Sequence, residues 1–291
     1  MGSKIEIIDG IRDLVRSYDA LIIDLWGVIH DGVNLLPGSA SCLAELNEAK
    51  ISYAFLSNAP RRAKPLIDAM IEMGIPADHA VNVISSGEAT HMALKERADP
   101  WFTGVGGRCY HLGPQRDHSL FDGLKIEFVQ EVENADLIVN TGPWGFTERV
   151  ADYEDLLQAG VKAGVKMVCA NPDLEVIRGG RHMICAGALA VRYEEIGGNV
   201  IYYGKPKRPI YDACLATLNR PSPNRVLAIG DSLRTDIKGA ETVGIDAILV
   251  LGGIHGSDFE GSDRSLLETR LHEKCEQAGV FPVAAVPTFR W

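Results

Sequence analysis

Four places along the chain set a carboxylate, a hydroxyl or an amine at the end of an apolar run. The first is Asp24, where ALII gives way to Asp-Leu-Trp-Gly. A carboxylate there can attack phosphorus as a covalent nucleophile; it can equally cap the turn that Gly27 permits. The second is Ser57-Asn58, which closes YAFLSN. Its hydroxyl and free backbone amides can hold phosphoryl oxygens, although Ser-Asn also opens ordinary turns. Lys205 follows in YYGKP, between a glycine and a proline. Lysine is a compact point charge suited to a phosphate, while an isolated one is more often a solvated surface residue. The fourth place is Asp231 with Asp236, in LAIGDSLRTDIKGA. Two carboxylates about one helical turn apart suit octahedral Mg²⁺ completed by water and phosphate oxygens; the alternative is an N-cap and a surface Asp. Each signal alone is weak. Their shared position at strand ends is where open parallel sheets bind ligands, and it argues for one site.

The elements that must position these residues alternate between short apolar runs and helical patterns, the signature of a parallel sheet covered by helices. The spacing predicts strands over 20–24, 51–56, 81–84, 108–112, 135–140, 165–169, 200–203, 225–229 and 247–251. Helices are expected over 38–49, 62–73, 88–97, 147–163, 187–196, 209–219, 233–243 and 264–278. From Gly87 the pattern no longer fits a single sheet, and it resumes near Val200. The reading is a core domain of 1–86 and 197–291, with a second domain of 87–196 inserted into it. The glycine patch at 104–107 lacks the dinucleotide fingerprint and reads as a loop.

The 291 residues allow one large domain or two modest ones, each with its own core. A formal net charge of -10 runs against a nucleic-acid footprint. No apolar run reaches membrane-spanning length, and the start MGSKIEIIDG lacks a secretory apolar stretch, which points to a cytoplasmic protein. The six cysteines are scattered without a CxxC pair and are expected as small buried hydrophobes in a reducing compartment.

Asp24, Ser57, Lys205 and Asp231 with Asp236 resemble motifs I to IV of the haloacid dehalogenase (HAD) superfamily, in that order. An insertion between motifs II and III resembles its class IIA, or C2-capped, NagD-type branch. LLPGS, NPD at 171–173, CAGAL at 185–189, YYGKP and GDSLRTDIKGA also look like this branch. The resemblance covers nearly the whole chain and is weakest over 101–133. It implies a Rossmann-like parallel-sheet α/β core with an inserted α/β cap, and a Mg²⁺-dependent phosphatase acting on a small phosphorylated metabolite. It further implies Asp24 as the nucleophile that becomes an aspartyl-phosphate. Asp24, the backbone carbonyl of Trp26 and Asp231 would hold Mg²⁺, supported by Asp236. Ser57, the Asn58 amide and Lys205 would grip the phosphoryl oxygens. Asn171 and Asp173 would either touch substrate or form a turn, and a homodimer is left open.

One position departs from the family pattern. The usual Asp-x-Asp reads Asp24-Leu25-Trp26, so the carboxyl that protonates the leaving oxygen is replaced by an indole. General acid–base help is worth about 10²–10⁴-fold, or roughly 3 to 5 kcal/mol of barrier. His30 and Asp31 lie close in sequence but are read as loop residues outside the chemistry. Two alternatives follow from Trp26: a phosphometabolite-binding or regulatory protein with impaired catalysis and, ranked lower, a 2-haloacid dehalogenase.

Overall fold

The computed structural model describes residues 5–291. The chain begins with β1 (Glu6–Ile7), β2 (Ala20–Ile23), β3 (Ser52–Ser57) and β4 (Val83–Ser85). It then crosses into β5 (Arg108–Leu112), β6 (Glu127–Phe128), β7 (Leu137–Asn140) and β8 (Lys166–Cys169). A hairpin of β9 (Glu175–Arg178) and β10 (Arg181–Ile184) precedes β11 (Val200–Tyr202). The chain returns through β12 (Val226–Gly230), β13 (Asp246–Val250) and β14 (Ala284–Val286). These strands form a seven-stranded sheet in the order β1-β14-β13-β12-β2-β3-β4, a five-stranded sheet β11-β8-β7-β5-β6, and the separate β9–β10 hairpin. Every pairing in the two larger sheets is parallel.

The sequence explains why the large sheet is covered on both faces. In β2, Ala20 and Ile22 join one buried cluster while Leu21 and Ile23 join the other. Val226 and Ala228 against Leu227 and Ile229 repeat the split in β12. Alternate side chains leave a strand on opposite faces, so a continuous apolar run needs helices on both sides. The helices Ser39–Glu48 and Ala63–Glu72 place Leu43, Leu46, Leu66 and Met70 on one face, and Arg208–Thr217 places Ile210 and Cys214 on the other. The five-stranded sheet has its own pair of clusters, around Leu157, Met167 and Leu189 and around Cys109, Val139 and Val168. All six cysteines are buried and free. Among the described residues no helix is long and apolar enough to cross a membrane.

Several expectations change. The sequence pattern puts Val200–Tyr202 in the core, yet it pairs in parallel with β8 as an edge of the smaller sheet. Core pairing therefore resumes after Tyr203 rather than at 197, because a short apolar strand carries no mark of which sheet will accept it. The helix expected over 147–163 is an α-helix only over Glu154–Lys162, preceded by a 3₁₀ turn at Val150–Tyr153. The helix expected over 233–243 begins with a π-helical turn at Leu233–Ile237. The β9–β10 hairpin, the edge strands β1 and β6, and β14 between β1 and β13 are additional elements; β1 and β6 have two residues each, too few for a periodic signal.

The helix Ser86–Glu96 leads out of β4 toward the second sheet, and its Gly87 lies against the loop after β3. A Cβ at Gly87 would fall 2.4 Å from the Arg61 carbonyl oxygen and 2.5 Å from Pro60 C, both backbone atoms. Gly87→Ala is expected to displace that loop and destabilise the fold by about 1–3 kcal/mol, the usual range for overpacking. Urea unfolding measures this; an unchanged midpoint would contradict the packing described.

Candidate active site at the strand ends

Asp24 leaves the carboxyl end of β2, and Ser57 and Asn58 stand at the end of β3. Asp231 follows β12, the other neighbour of β2. The chain turns sharply after Asp24 at Gly27, whose φ is +81°. A Cβ there would fall 2.0 Å from Asp231 Oδ2, so the turn needs glycine for both its conformation and its space. Asp236 comes from the π-helical turn and accepts a hydrogen bond from the Ser232 amide at 3.1 Å.

Lys205 enters from the second crossing between the sheets. Its Nζ donates to Asp24 Oδ1 and to Asp236 Oδ1, each at 2.6 Å, and all three side chains are buried. Burial works against the ammonium, but Asp236, Asp24 and Asp173 outweigh it and hold Lys205 well above the ordinary lysine range. The side chain of Asn58 fixes the Lys205 backbone: its Oδ1 accepts from Lys205 N at 2.7 Å, and its Nδ2 reaches Lys205 O at 3.3 Å. Nδ2 also donates to Asp173 Oδ1 at 2.9 Å. Asp173 N in turn donates to Asn171 Oδ1 at 3.0 Å, so these two residues make a turn whose carboxylate faces the site. Ser57 Oγ accepts from the Ala59 amide at 3.2 Å.

Ligand oxygens of Asp24, Asp231 and Asp236 all lie within 4.8 Å of one another. Burial and the Asp236 charge push Asp231 up to about 8, against the Ile254 amide, which donates to its Oδ2 at 2.6 Å. Burial likewise raises Asp24 well above the carboxylate range, with Lys205 pulling the other way. Three buried carboxylates therefore share one ammonium, and the set is short of positive charge. The donors are hard oxygens, without thiolate or imidazole, which fits a Mg²⁺-type cation and not a soft metal.

Trp26 is half-buried and points away from this cluster. Its Nε1 donates to the Ile177 carbonyl of the β9–β10 hairpin at 2.8 Å, and its ring meets His30 edge-on at 5.3 Å. His30 Nδ1 accepts from the Gly32 amide at 3.0 Å, and Asp31 Oδ1 accepts from the amides of Val33 and Asn34. Both residues thus brace their own loop. A cavity of about 560 Å³ joins the cluster to the second sheet and the hairpin, a volume in the range of small-molecule sites.

Sequence reading missed the side-chain role of Asn58, the backbone amide of Ile254, and the arginines Arg61, Arg116 and Arg178 of the cavity wall. The Arg61-Arg62 pair directly after SNAP was the one available signal.

A divalent cation bound among these carboxylates stabilises the folded state, by about 2.7 kcal/mol at a hundredfold excess over Kd. Mg²⁺ is expected to raise the unfolding temperature of the wild type by several degrees, and Asp231→Asn to remove most of that shift. Differential scanning fluorimetry reads both; equal shifts in the two proteins would place the cation elsewhere.

Comparison with known proteins agrees with this geometry. A family profile described as haloacid dehalogenase-like hydrolase matches residues 21–127, and a HAD-hydrolase-like profile matches 202–266. The acid sugar phosphatase of Staphylococcus saprophyticus is 27% identical over 82% of this chain and 89% of its own length. The ribonucleotide monophosphatase NagD of Escherichia coli K12 is also 27% identical, over 82% of this chain and 89% of its own. A crystal structure of a haloacid dehalogenase-like hydrolase from Brucella suis 1330 superposes with a TM-score of 0.82 at 30% identity, covering 97% of this chain and all of that one. With the strand order, the inserted second sheet and the carboxylate cluster at the ends of β2 and β12, these likenesses establish that the chain belongs to the haloacid dehalogenase-like hydrolases, on their NagD-type branch.

Proposed function

We propose that this protein is a Mg²⁺-dependent phosphatase of a small phosphorylated metabolite, with Asp24 as its nucleophile. The observation that carries the reading is the convergence of Asp24, Asp231, Asp236 and Lys205 from three separate stretches of chain. The named activities of the sugar phosphatase and of NagD support the same class of substrate.

In this reading an Asp24 oxygen attacks phosphorus as the bond from phosphorus to the leaving oxygen breaks. The phosphoryl group passes to Asp24 as an aspartyl-phosphate, and water then returns the carboxylate. Asp24, Asp231 and the Trp26 carbonyl would hold Mg²⁺, with Asp236 supporting the set. The bound ion supplies positive charge for the phosphoryl oxygens. Lys205, the Ser57 hydroxyl and the Asn58 amide grip those oxygens as charge spreads over them during transfer. Asn58 keeps Lys205 in register through its backbone. The second sheet and its hairpin wall the cavity and exclude water.

Trp26 gives the reading its character. An indole cannot protonate a leaving oxygen, so that oxygen departs as an anion and takes its proton from water. Phenolate and acyl leaving groups tolerate this, whereas alkyl leaving groups do not. The same observation supports a second reading, a protein that binds a phosphometabolite and turns it over negligibly.

Two measurements separate the readings. Wild type is expected to hydrolyse aryl and acyl phosphates only with Mg²⁺, and Asp24→Asn to abolish this; absence of turnover on any ester would leave the binding reading. Trp26→Asp is expected to raise turnover of alkyl relative to aryl esters by up to about 10²–10⁴-fold. An unchanged ratio would mean that another group already serves as the acid.

A further inference from the structure

The cavity has a second charged end, and the chemistry at Asp24 does not use it. Arg61 lies in the loop after β3, Arg116 in the 3₁₀ segment after β5, and Arg178 at the end of β9. All three line the same cavity as Asp24 and Lys205. Among the described residues, Asp117 is the one carboxylate within ion-pair range of Arg61 and Arg116. Its Oδ1 lies 3.9 Å from Arg61 Nε and 4.0 Å from Arg116 Nε, too far for a hydrogen bond to either. Among the described residues no carboxylate pairs with Arg178. Instead, the guanidiniums of Arg116 and Arg178 both lie against the Phe146 ring, at 5.1 and 4.8 Å from its centre.

This arrangement is electrostatically unfavourable as it stands. Burial lowers the pKa of Arg61, and the charges of Arg116 and Arg178 lower it further against the pull of Asp117. Asp117 is itself buried, which pushes its carboxyl up and weakens it as a counter-ion. Three cations thus line one stretch of the cavity wall, with Asp117 the buried carboxylate beside Arg61 and Arg116. Arg61 is more enclosed than Arg116, at 28% side-chain exposure against 44%, and Arg116 and Arg178 are drawn together on a shared aromatic ring. Planar guanidinium forks present paired N–H donors that match carboxylate or phosphate oxygens.

We propose that the substrate carries a second anionic group, a carboxylate or a further phosphate, which Arg61, Arg116 and Arg178 receive while its phosphoryl group lies at Asp24. The inference rests on reading Asp24 as the phosphoryl-transfer site and names the class of metabolite that site serves. A ligand spanning both ends meets positive charge at each: Lys205 at one and the arginines at the other. The cavity volume of about 560 Å³ suits a small metabolite and not a polymer.

Equilibrium binding to the Asp24→Asn protein in Mg²⁺, by titration calorimetry, tests this apart from turnover. Two matched pairs serve as probes: 3-phosphoglycerate against glycerol 3-phosphate, and fructose 1,6-bisphosphate against fructose 6-phosphate. At least one doubly anionic member is expected to bind about 10- to 100-fold tighter than its partner, the range for one or two charge-assisted hydrogen bonds. The pair that responds identifies the second anion. In the same background Arg178→Met with Arg116→Met is expected to bring the preference to within about twofold, and Arg178→Lys to retain part of it. Equal affinities within both pairs, or a preference that survives the double substitution, would overturn the proposal. Failure of the phosphatase reading is a separate result: wild type would hydrolyse no aryl or acyl phosphate in Mg²⁺ even where the binding preference holds.

Discussion

A lysine ammonium enclosed by protein cannot stand alone. Removing an ion from water costs several kcal/mol after relaxation, and only close, hydrogen-bonded counter-ions offset that cost. Lys205 is 2% exposed and meets its counter-ions at 2.6 Å on both Asp24 and Asp236. Asp24 follows β2 and Asp236 lies in the π-helical turn after the neighbouring β12, whereas Lys205 arrives after β11 of the small sheet. The way the chain re-enters the large sheet is therefore tied to the charge balance of the site. Asn58 reinforces the tie, since one amide side chain holds the Lys205 backbone and also Asp173, where the small sheet's chain dips toward the core.

Other contacts across the seam follow the same logic of satisfying buried polar groups between the two sheets. Ser86 Oγ, at the start of the helix leaving β4, lies 2.5 Å from the Ala170 carbonyl and 2.7 Å from that of Asn58. Arg234 Nη1 donates to the Pro172 carbonyl at 2.8 Å. Trp26 adds a contact of a different kind. Its indole reaches out of the site and donates to the β9–β10 hairpin. This bond gives the hairpin an anchor on the core. The hairpin also carries Arg178, so Trp26 helps to fix the wall that bears this guanidinium.

The motif residues were legible because each follows a strand that reads clearly: ALII before Asp24, YAFLS before Asn58 and VLAIG before Asp231. Apolar runs buried on both faces, with a polar residue at the stop, are local features that survive without knowledge of the partner strand. The tail helix Arg264–Ala278 was legible too, with Asp263 capping its start and Gly279 in the left-handed conformation at its end. β11 was read as a strand but assigned to the wrong sheet, since parallel strands in the two sheets have the same composition. The π-helical turn that carries Asp236 was invisible, because helix periodicity does not distinguish an α from a π turn over five residues.

Sequence by itself thus determined the class of fold and the identity of the polar residues at the strand ends. These depend on periodicity and on residue type at a stop, which are properties of a short stretch of chain. Tertiary structure decided what each of those residues faces. It turned Trp26 toward the hairpin, set the side chain of Asn58 on the Lys205 backbone and gathered Arg61, Arg116 and Arg178 from three distant segments onto one cavity wall. Such pairings are chosen by packing and charge between elements far apart in sequence, where no local pattern can carry them.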